Sequence, residues 1–220
     1  HPTLFRSGRP SYYQYILQAR SGVMDEANFW QALHDGFEAG RQDMQFRGEA
    51  LGDIDDRLRE EGGYMRIYWS GAWYFLNIDV RLRRQSRGKQ TLDSALDALN
   101  RCCATQSMSV PQMVEKLDEL NAVLLFQPLY REIRRSTGIP SAKSLFASLG
   151  IDVIEGQVRL QQVGPGAKLR QAIVNAVALY FPTHPALLTS WSRPTGKQLH
   201  STTPPLKRHS TTRCRITPTA

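Results

Sequence analysis

One segment constrains the fold of this chain more than any other. The stretch RIYWSGAWYFLNIDVRLRRQS, residues 66–86, contains no charged residue from Ile67 to Ile78. Apolar residues fall on every face of a helix drawn through it, which is the pattern of a buried helix rather than an amphipathic one. The uncharged run is too short to span a bilayer. We therefore predict a buried helix from about Tyr64 to Arg84.

The net charge of +8 is concentrated at the C-terminal end of the 220 residues. Beyond Glu155 the chain has nine basic residues and no acidic one, so residues 1–155 carry 19 basic and 20 acidic side chains. Residues 182–220 are rich in Pro, Ser and Thr, a composition that predicts a disordered basic tail. One hypothesis is that this basic tail binds nucleic acid. No nucleic-acid recognition motif accompanies the charge, so we expect no specific nucleic-acid partner. We also expect no membrane association.

Amphipathic segments with capping residues fill most of the remaining chain. Ser11 opens one helix, Asp25 caps the next, residues 51–63 form a short polar helix or loop, and Thr91 and Ser109 cap two more. Further predicted helices cover residues 126–135, 141–149 and 167–181, and two short strands flank Glu155-Gly156. The predicted fold class is mainly α, a helical bundle-like array with a short β-hairpin near 151–163 and a disordered C-terminal tail.

The common catalytic motifs are absent from the sequence. It contains no HExxH, no glycine-rich phosphate loop, no GxSxG and no CxxC. We interpret His34, beside Asp35, as a surface histidine rather than a catalytic one. The carboxylates of Asp53, Asp55 and Asp56 are interpreted as a solvated helix start rather than a cation site. The adjacent Cys102 and Cys103 do not have a metal-binding spacing, so we assign them no function.

A series of local patterns in a fixed order indicates a family. The central pattern is YWSGAW, and SYYQYILQARSGV and FWQALHDGFEAGR come before it in the chain. DVRLRRQSRGKQTLDSALDAL comes after it, beginning on the same helix and continuing beyond. The last four patterns, in order, are QMVEKLDEL, LFQPLYREI, LFASLGIDV and VRLQQVGPGAKLRQAI. Over residues 11–175 this order resembles the glycyl aminopeptidase family of gluzincin zinc metallopeptidases, in the C-terminal helical part of their catalytic region. The resemblance implies that Tyr68 stabilises the oxyanion of the tetrahedral intermediate, that zinc is the cofactor of the complete family, and that the substrate is a peptide.

The chain also departs from that family. The family's zinc ligands are the histidines of an HExxH helix and a glutamate that stands just before a glycine on the next helix, whereas here Ser7 precedes Gly8. We therefore predict no metal ligand in this chain and expect it to bind no zinc. The sequence begins at His1 without Met and both ends lack acidic residues, which suggests a fragment or a reading-frame error.

Two functional hypotheses follow. In the first, the chain is a fragment or degenerate member of the aminopeptidase family, inactive as given, with an atypical end at 1–10, a helical peptidase-like domain at 11–181 and the tail at 182–220. In the second, it is a non-catalytic helical interaction module with a basic tail. Only a complete peptidase would bind one zinc ion per chain. Measuring zinc binding therefore distinguishes a working enzyme from either of these two hypotheses. The sequence does not decide between a cytoplasmic and a periplasmic location.

Overall fold

The structure is a computed structural model that describes the backbone of residues 3–175 and the side chains of residues 9–175. The helices in this part of the chain are α1 (Thr3–Arg20), α2 (Glu26–Gln42), α3 (Leu51–Glu61), α4 (Tyr64–Gln85), α5 (Leu92–Cys103), α6 (Val110–Asn121), α7 (Phe126–Arg135), α8 (Lys143–Ser148) and α9 (Pro165–Val174). Strands β1 (Ile151–Ile154) and β2 (Gln157–Leu160) lie between α8 and α9. The predicted mainly α class with a hairpin near 151–163 is confirmed. The tail predicted at 182–220 lies outside the described residues.

Helix α4 is buried, as its sequence predicts, and forms the centre of the helical domain. Every residue from Ser70 to Val80 is buried. Helices α1, α2, α3, α5, α7 and α9 all contact it. A helix surrounded by other helices has no face in water, which explains why the sequence shows no polar stripe over this stretch.

Helix α1 begins earlier than the sequence indicates. We predicted a start at Ser11, after an atypical end at 1–10, but the helix begins at Thr3 and contains Pro10. A proline inside a helix lacks the N–H that would donate to the carbonyl four residues earlier, which normally breaks or bends the helix. Here α1 makes its most extensive contacts with α4, and packing of this kind outweighs local propensity.

Predicted caps define several other helix ends. Asp25 accepts a hydrogen bond from the Asn28 N–H at the start of α2. The capping boxes at Thr91 and Ser109 are both formed. Because the side-chain oxygens satisfy N–H groups that have no partner within the helix, these short motifs fix the starts of α2, α5 and α6.

The β-hairpin is short and is attached to the helices by side chains. Strands β1 and β2 are antiparallel, with Ile151 opposite Leu160 and Asp152 opposite Arg159. Glu155 and Gly156 both have positive φ (51° and 78°), as a two-residue type I′ turn requires. The carbonyls of Gly150 and Gln161, at the two ends of the hairpin, accept hydrogen bonds from Arg170 of α9.

Candidate functional site

Tyr68 lies on the second turn of α4, just before the fully buried residues 70–80. Its ring is half-buried and contacts the ring of Tyr64, edge to face, at 5.7 Å between centroids. None of the hydrogen bonds among the described residues uses the Tyr68 hydroxyl. Tyr68 therefore has a packed ring and a hydroxyl that is not committed to any group in this part of the chain.

The neighbouring Trp69 fixes the position of this turn. Its ring stacks on Tyr15 of α1 at 5.8 Å and meets Phe37 of α2 edge to face at 6.0 Å. Two glycines of α2, Gly36 and Gly40, lie against Trp69, and a Cβ at Gly36 would overlap the indole ring. Because α2 presents no side chain at Gly36 and Gly40, the two helices approach closely and hold the turn that carries Tyr68 in place.

Arg66, three residues before Trp69, anchors the start of the same helix. Its guanidinium is buried and donates to the carbonyls of Gln45 (2.9 Å), Phe46 and Thr137. These carbonyls belong to the α2–α3 loop and to the segment after α7, so one side chain joins three parts of the domain. The start of α4 is therefore a rigid support, which is what a preorganised hydrogen-bond donor needs.

A second polar cluster lies further along α4, around the buried Asp79. Its carboxylate accepts hydrogen bonds from Tyr12 Oη (3.1 Å), Arg83 Nε (2.9 Å) and the Leu92 N–H (2.9 Å). Burial, and then the charge of Asp79, raise the pKa of Tyr12 well above its usual range. Burial, and then Asp93, likewise raise the pKa of Tyr13, whose hydroxyl donates to Asp93 Oδ1 at 2.7 Å. These hydrogen bonds join α1, α4 and α5 and engage the carboxylates of both Asp79 and Asp93, while Arg83 Nη2 is buried without a hydrogen-bond partner among the described residues.

The other candidate residues are dispersed. His34 is half-buried, with Nδ1 at 3.1 Å from Asp35 Oδ1. The interpretation of residues 53–56 as a solvated helix start is wrong for Asp55, which is 3% exposed and lies 3.5 Å from Arg134 Nη1. Asp56 pairs with the same arginine at 2.9 Å. The carboxylates of Asp55 and Asp56 therefore pair with the guanidinium of Arg134.

The described residues do not fit a zinc ion. No group of three or more His, Cys, Asp or Glu side chains among residues 9–175 is arranged to hold a metal. Ser7, which stands where the resemblance implies a glutamate ligand, lies within α1, the helix that packs along α4. The adjacent Cys102 and Cys103 are joined by a disulfide, which the sequence interpretation did not anticipate, because adjacent cysteines have no spacing signal for pairing.

Comparisons with protein-family models, with curated proteins and with solved structures found no match to this chain. Among the residues that the structure describes, no helix is both long enough and apolar enough to cross a membrane.

Sequence reasoning missed the two buried arginines that organise the domain, Arg66 and Arg170. Each donates mainly to backbone carbonyls of distant segments. Arginines of this kind look like surface residues in a sequence, since their partners are carbonyls and carry no residue-type signal. The one available hint is that Arg170 stands in the apolar pattern of its helix, beside Leu169 and Ile173.

Proposed function

We propose that residues 11–175 are the helical part of an aminopeptidase-like catalytic domain, in which Tyr68 donates a hydrogen bond to the oxyanion formed when a peptide bond is attacked. As printed, the chain is a fragment or degenerate member of that family and hydrolyses no peptide. The proposal rests on the resemblance of the ordered sequence motifs and on the position of Tyr68 in the structure.

The observation that carries the proposal is that the tyrosine of the YWSGAW motif, Tyr68, has an uncommitted hydroxyl. The hydroxyls of Tyr12, Tyr13 and Tyr74 donate to Asp79, Asp93 and the Phe126 carbonyl. Those three tyrosines therefore have structural partners, whereas the Tyr68 hydroxyl has none among the described residues. The hydroxyls of Tyr15, Tyr64 and Tyr130 share this property, so the place of Tyr68 in the YWSGAW motif is what distinguishes it. A phenol on a rigid helix, held by Trp69 and Arg66, is a donor that needs no reorganisation before it meets a developing negative charge.

The 220 residues do not contain the groups that would generate the attacking nucleophile. HExxH is absent from the sequence, and Ser7 replaces the glutamate implied by the resemblance. We therefore assign to this chain only the roles of support and oxyanion donor, and we derive no step that uses zinc.

Supplying the missing groups tests the proposal. A fusion in which an HExxH segment from a complete member of the family precedes residue 1, combined with Ser7→Glu, is assayed with aminoacyl-p-nitroanilides in the presence of zinc. We expect hydrolysis of N-terminal residues by the fusion with Ser7→Glu and none by the chain as printed. A matched fusion that retains Ser7 is the control. A folded fusion with Ser7→Glu that shows no more hydrolysis than this control would contradict the proposal.

The second candidate is a non-catalytic interaction module. The observation in its favour is the exposure of Tyr64 (47%) and Met65 (45%), two apolar side chains on the first turn of α4. Substituting both by serine would weaken a partner complex in this case. If Tyr64 and Met65 do not form a protein-binding surface, this chain forms no stable complex with a partner protein.

A further inference from the structure

The end of α4 and the turn that follows it form a basic stretch of the surface. No acidic residue stands between Asp79 and Asp93, whereas residues 80–92 contain four arginines and one lysine. Arg83 is buried and pairs with Asp79. The other four cations are exposed, and we call them the basic ridge: Arg81, Arg84, Arg87 and Lys89.

The charges of the basic ridge are not neutralised within the described part of the chain, where no hydrogen bond or ion pair engages any of its four side chains. The turn lies beside the end of α6, because Gln90 Nε2 donates to the Asn121 carbonyl at 2.9 Å. The carboxylates of α5 and those at this end of α6 have other partners, which are Arg20 for Asp93, Arg101 for Asp97, backbone N–H groups for Asp118 and Lys116 for Glu119.

Hydrogen bonds hold the basic ridge in a defined shape. Arg81 and Arg84 are three residues apart on the helix, so they are neighbours on its surface, with about 5–6 Å between their Cβ atoms. The turn folds back onto the helix end, because the Gly88 N–H donates to the Arg83 carbonyl at 2.7 Å. The Gln90 N–H donates to Ser86 Oγ, also at 2.7 Å, and closes the turn. The two cations of the turn are therefore held beside the two cations of the helix.

Arg87 occupies a backbone position that favours glycine. Its φ is 54°, and the residue at this place after a helix is usually glycine or asparagine. A side chain with a Cβ is strained in this conformation, whereas glycine is not. Strain of this kind is concentrated at functional sites, and the Arg87 side chain makes no contact within the described residues that would explain it. The position therefore points to a use of the arginine outside the fold.

The surroundings of the basic ridge indicate the kind of partner. Stable binding of a protein or a membrane requires an apolar anchor beside the charges. Within residues 66–123, all of which the structure describes, no large apolar side chain is exposed. Single-stranded nucleic acid stacks on exposed aromatic rings, which this stretch also lacks. The phosphates of a duplex require cations, and the planar guanidinium of arginine can donate two parallel hydrogen bonds to one phosphate.

The uncharged groups of the turn favour DNA over RNA. Proteins recognise an RNA duplex largely through its ribose hydroxyls, which need free uncharged donors or acceptors. Ser86 Oγ and the backbone of Gln90 are bonded to each other, and Gln90 Nε2 is bonded to the Asn121 carbonyl. These two side chains are therefore not free to contact a ribose.

We propose that the basic ridge binds the phosphate backbone of double-stranded DNA without reading its sequence. The three arginines contact phosphates, and Lys89 adds a fourth charge. Binding releases condensed counterions from the DNA, so the affinity falls as the salt concentration rises. Phosphate contacts carry no sequence information, which agrees with the absence of a recognition motif in this chain. The ridge lies at the opposite end of α4 from Tyr68, so this activity is independent of the proposed oxyanion role.

Binding is measured by fluorescence anisotropy with the full chain and a short labelled DNA duplex at a series of salt concentrations. The triple variant Arg81→Gln, Arg84→Gln, Arg87→Gln should lower the slope of log affinity against log salt by about 2.7, which is about 0.9 for each lost phosphate contact. Its affinity at low salt should fall by more than about tenfold. The cations of residues 182–220 are present in every variant, so differences between variants report on the ridge alone.

A matched triple variant controls for net charge. Arg59→Gln, Arg131→Gln and Lys143→Gln together remove three exposed cations from α3, α7 and α8 and should leave the slope nearly unchanged. Equal effects of the two triple variants would show general charge attraction and overturn the proposal. A slope that is unchanged in the ridge variant would also overturn it, because the binding would then belong to another part of the chain.

Arg87→Gly separates binding from folding. The substitution removes one cation and relieves the backbone strain, so the slope should fall by about 0.9 while the midpoint of urea denaturation does not fall. Arg87→Lys keeps the charge and should keep the slope. If Arg87→Gly destabilises the domain and leaves the slope unchanged, the arginine has a structural role and the proposal is wrong.

Competitors test the choice of partner without altering the protein. Unlabelled DNA duplexes of different sequence should displace the labelled duplex equally well, because phosphates are common to all of them. Poly-glutamate, as a model of an acidic protein, and vesicles containing phosphatidylserine should compete poorly at the same concentration of charge. Either of these competing as well as unlabelled DNA, or an RNA duplex competing better than DNA, would overturn the proposal. A strong preference for one DNA sequence would also contradict it.

Discussion

Arg170 gives the sharpest test of how the domain is held together. Its side chain is fully buried and makes four hydrogen bonds. Its acceptors are Glu26 Oε1 (2.7 Å) and the carbonyls of Leu149 (3.2 Å), Gly150 (2.9 Å) and Gln161 (2.9 Å). Substitution by methionine preserves an unbranched apolar stem but removes the charge and every donor.

The expected cost follows from the groups left behind. Three carbonyls and a carboxylate lose a donor at once, although the Gly150 carbonyl keeps its hydrogen bond from the Gln161 N–H. Removing one member of a buried ion pair typically costs about 3–5 kcal/mol. Because the Glu26 side chain is 30% exposed, water can restore part of its solvation. We therefore expect Arg170→Met to lower the free energy of unfolding by about 3 kcal/mol, the low end of that range.

Urea denaturation followed by circular dichroism at 222 nm measures this loss. The matched control is Arg41→Met, which removes an exposed ion pair with Glu38 and should cost less than about 1 kcal/mol. Amide exchange should accelerate at the ends of the hairpin with Arg170→Met and not with the control, since Gly150 and Gln161 lose their contact to α9. A loss below about 1 kcal/mol for Arg170→Met would refute the reasoning, because no buried charge network of this kind would then exist.

Three other predictions follow from the same structure. Gly36→Ala should destabilise the domain by about 1–3 kcal/mol in urea denaturation, because the added Cβ would overlap the ring of Trp69. The raised pKa values of Tyr12, Tyr13 and Tyr74 mean that the folded state keeps protons that the unfolded chain releases near pH 10. Stability should therefore be complete below about pH 10 and fall above it, by about 1.4 kcal/mol per pH unit for each of these tyrosines. Elemental analysis after gel filtration should find far less than one zinc per chain.

Each of these predictions has a control or a contrary outcome. Gly138→Ala places a Cβ 3.9 Å from its nearest neighbour, Arg66 Nη2, and should cost much less than Gly36→Ala. Equal losses at the two glycines would contradict the close approach of α2 and α4. For the alkaline titration, the absorbance of tyrosinate at 295 nm should rise for only part of the tyrosines near pH 10, and a complete rise there would contradict the buried hydroxyls. One zinc per chain would contradict the predicted absence of a metal site.

The sequence predicted those parts of the fold that depend on local signals. The caps at Asp25, Thr91 and Ser109 and the turn at Glu155-Gly156 were predictable because a few adjacent residues satisfy the backbone by themselves. The burial of α4 was predictable because its uncharged run has apolar residues on every face of the helix.

Features that depend on distant partners were not predictable in the same way. The continuation of α1 through Pro10 depends on packing against α4, and the local sequence argues against it. Helix α2 ends at Gln42 although its pattern continues towards Phe46, whose φ of 59° lies outside the helical region. The burial of Asp55 depends on Arg134, which is 79 residues away.

The candidate site contains both kinds of feature, one residue that local sequence predicted and supports that depend on distant partners. Tyr68 was identified from a motif, and its supports, Trp69 against Gly36 and Arg66 against three carbonyls, became visible only in three dimensions. The attachment of β2 to α2 could not be predicted from the strand sequence alone, because the acceptor of the Val158 N–H is the side chain of Gln31, 127 residues away.

The role of Tyr68 as an oxyanion donor is the central claim, and the kcat of the zinc-loaded fusion with and without Tyr68→Phe tests it most directly. The fusion is the one described above, with the upstream HExxH segment and Ser7→Glu. The substitution removes a hydroxyl that has no partner among the described residues, so folding should be little affected, and urea denaturation checks this. We expect Tyr68→Phe to lower kcat by about 100-fold or more, the usual effect of removing one oxyanion donor. An active fusion whose kcat is unchanged by Tyr68→Phe would show that this tyrosine is only a packing residue and would contradict the claim.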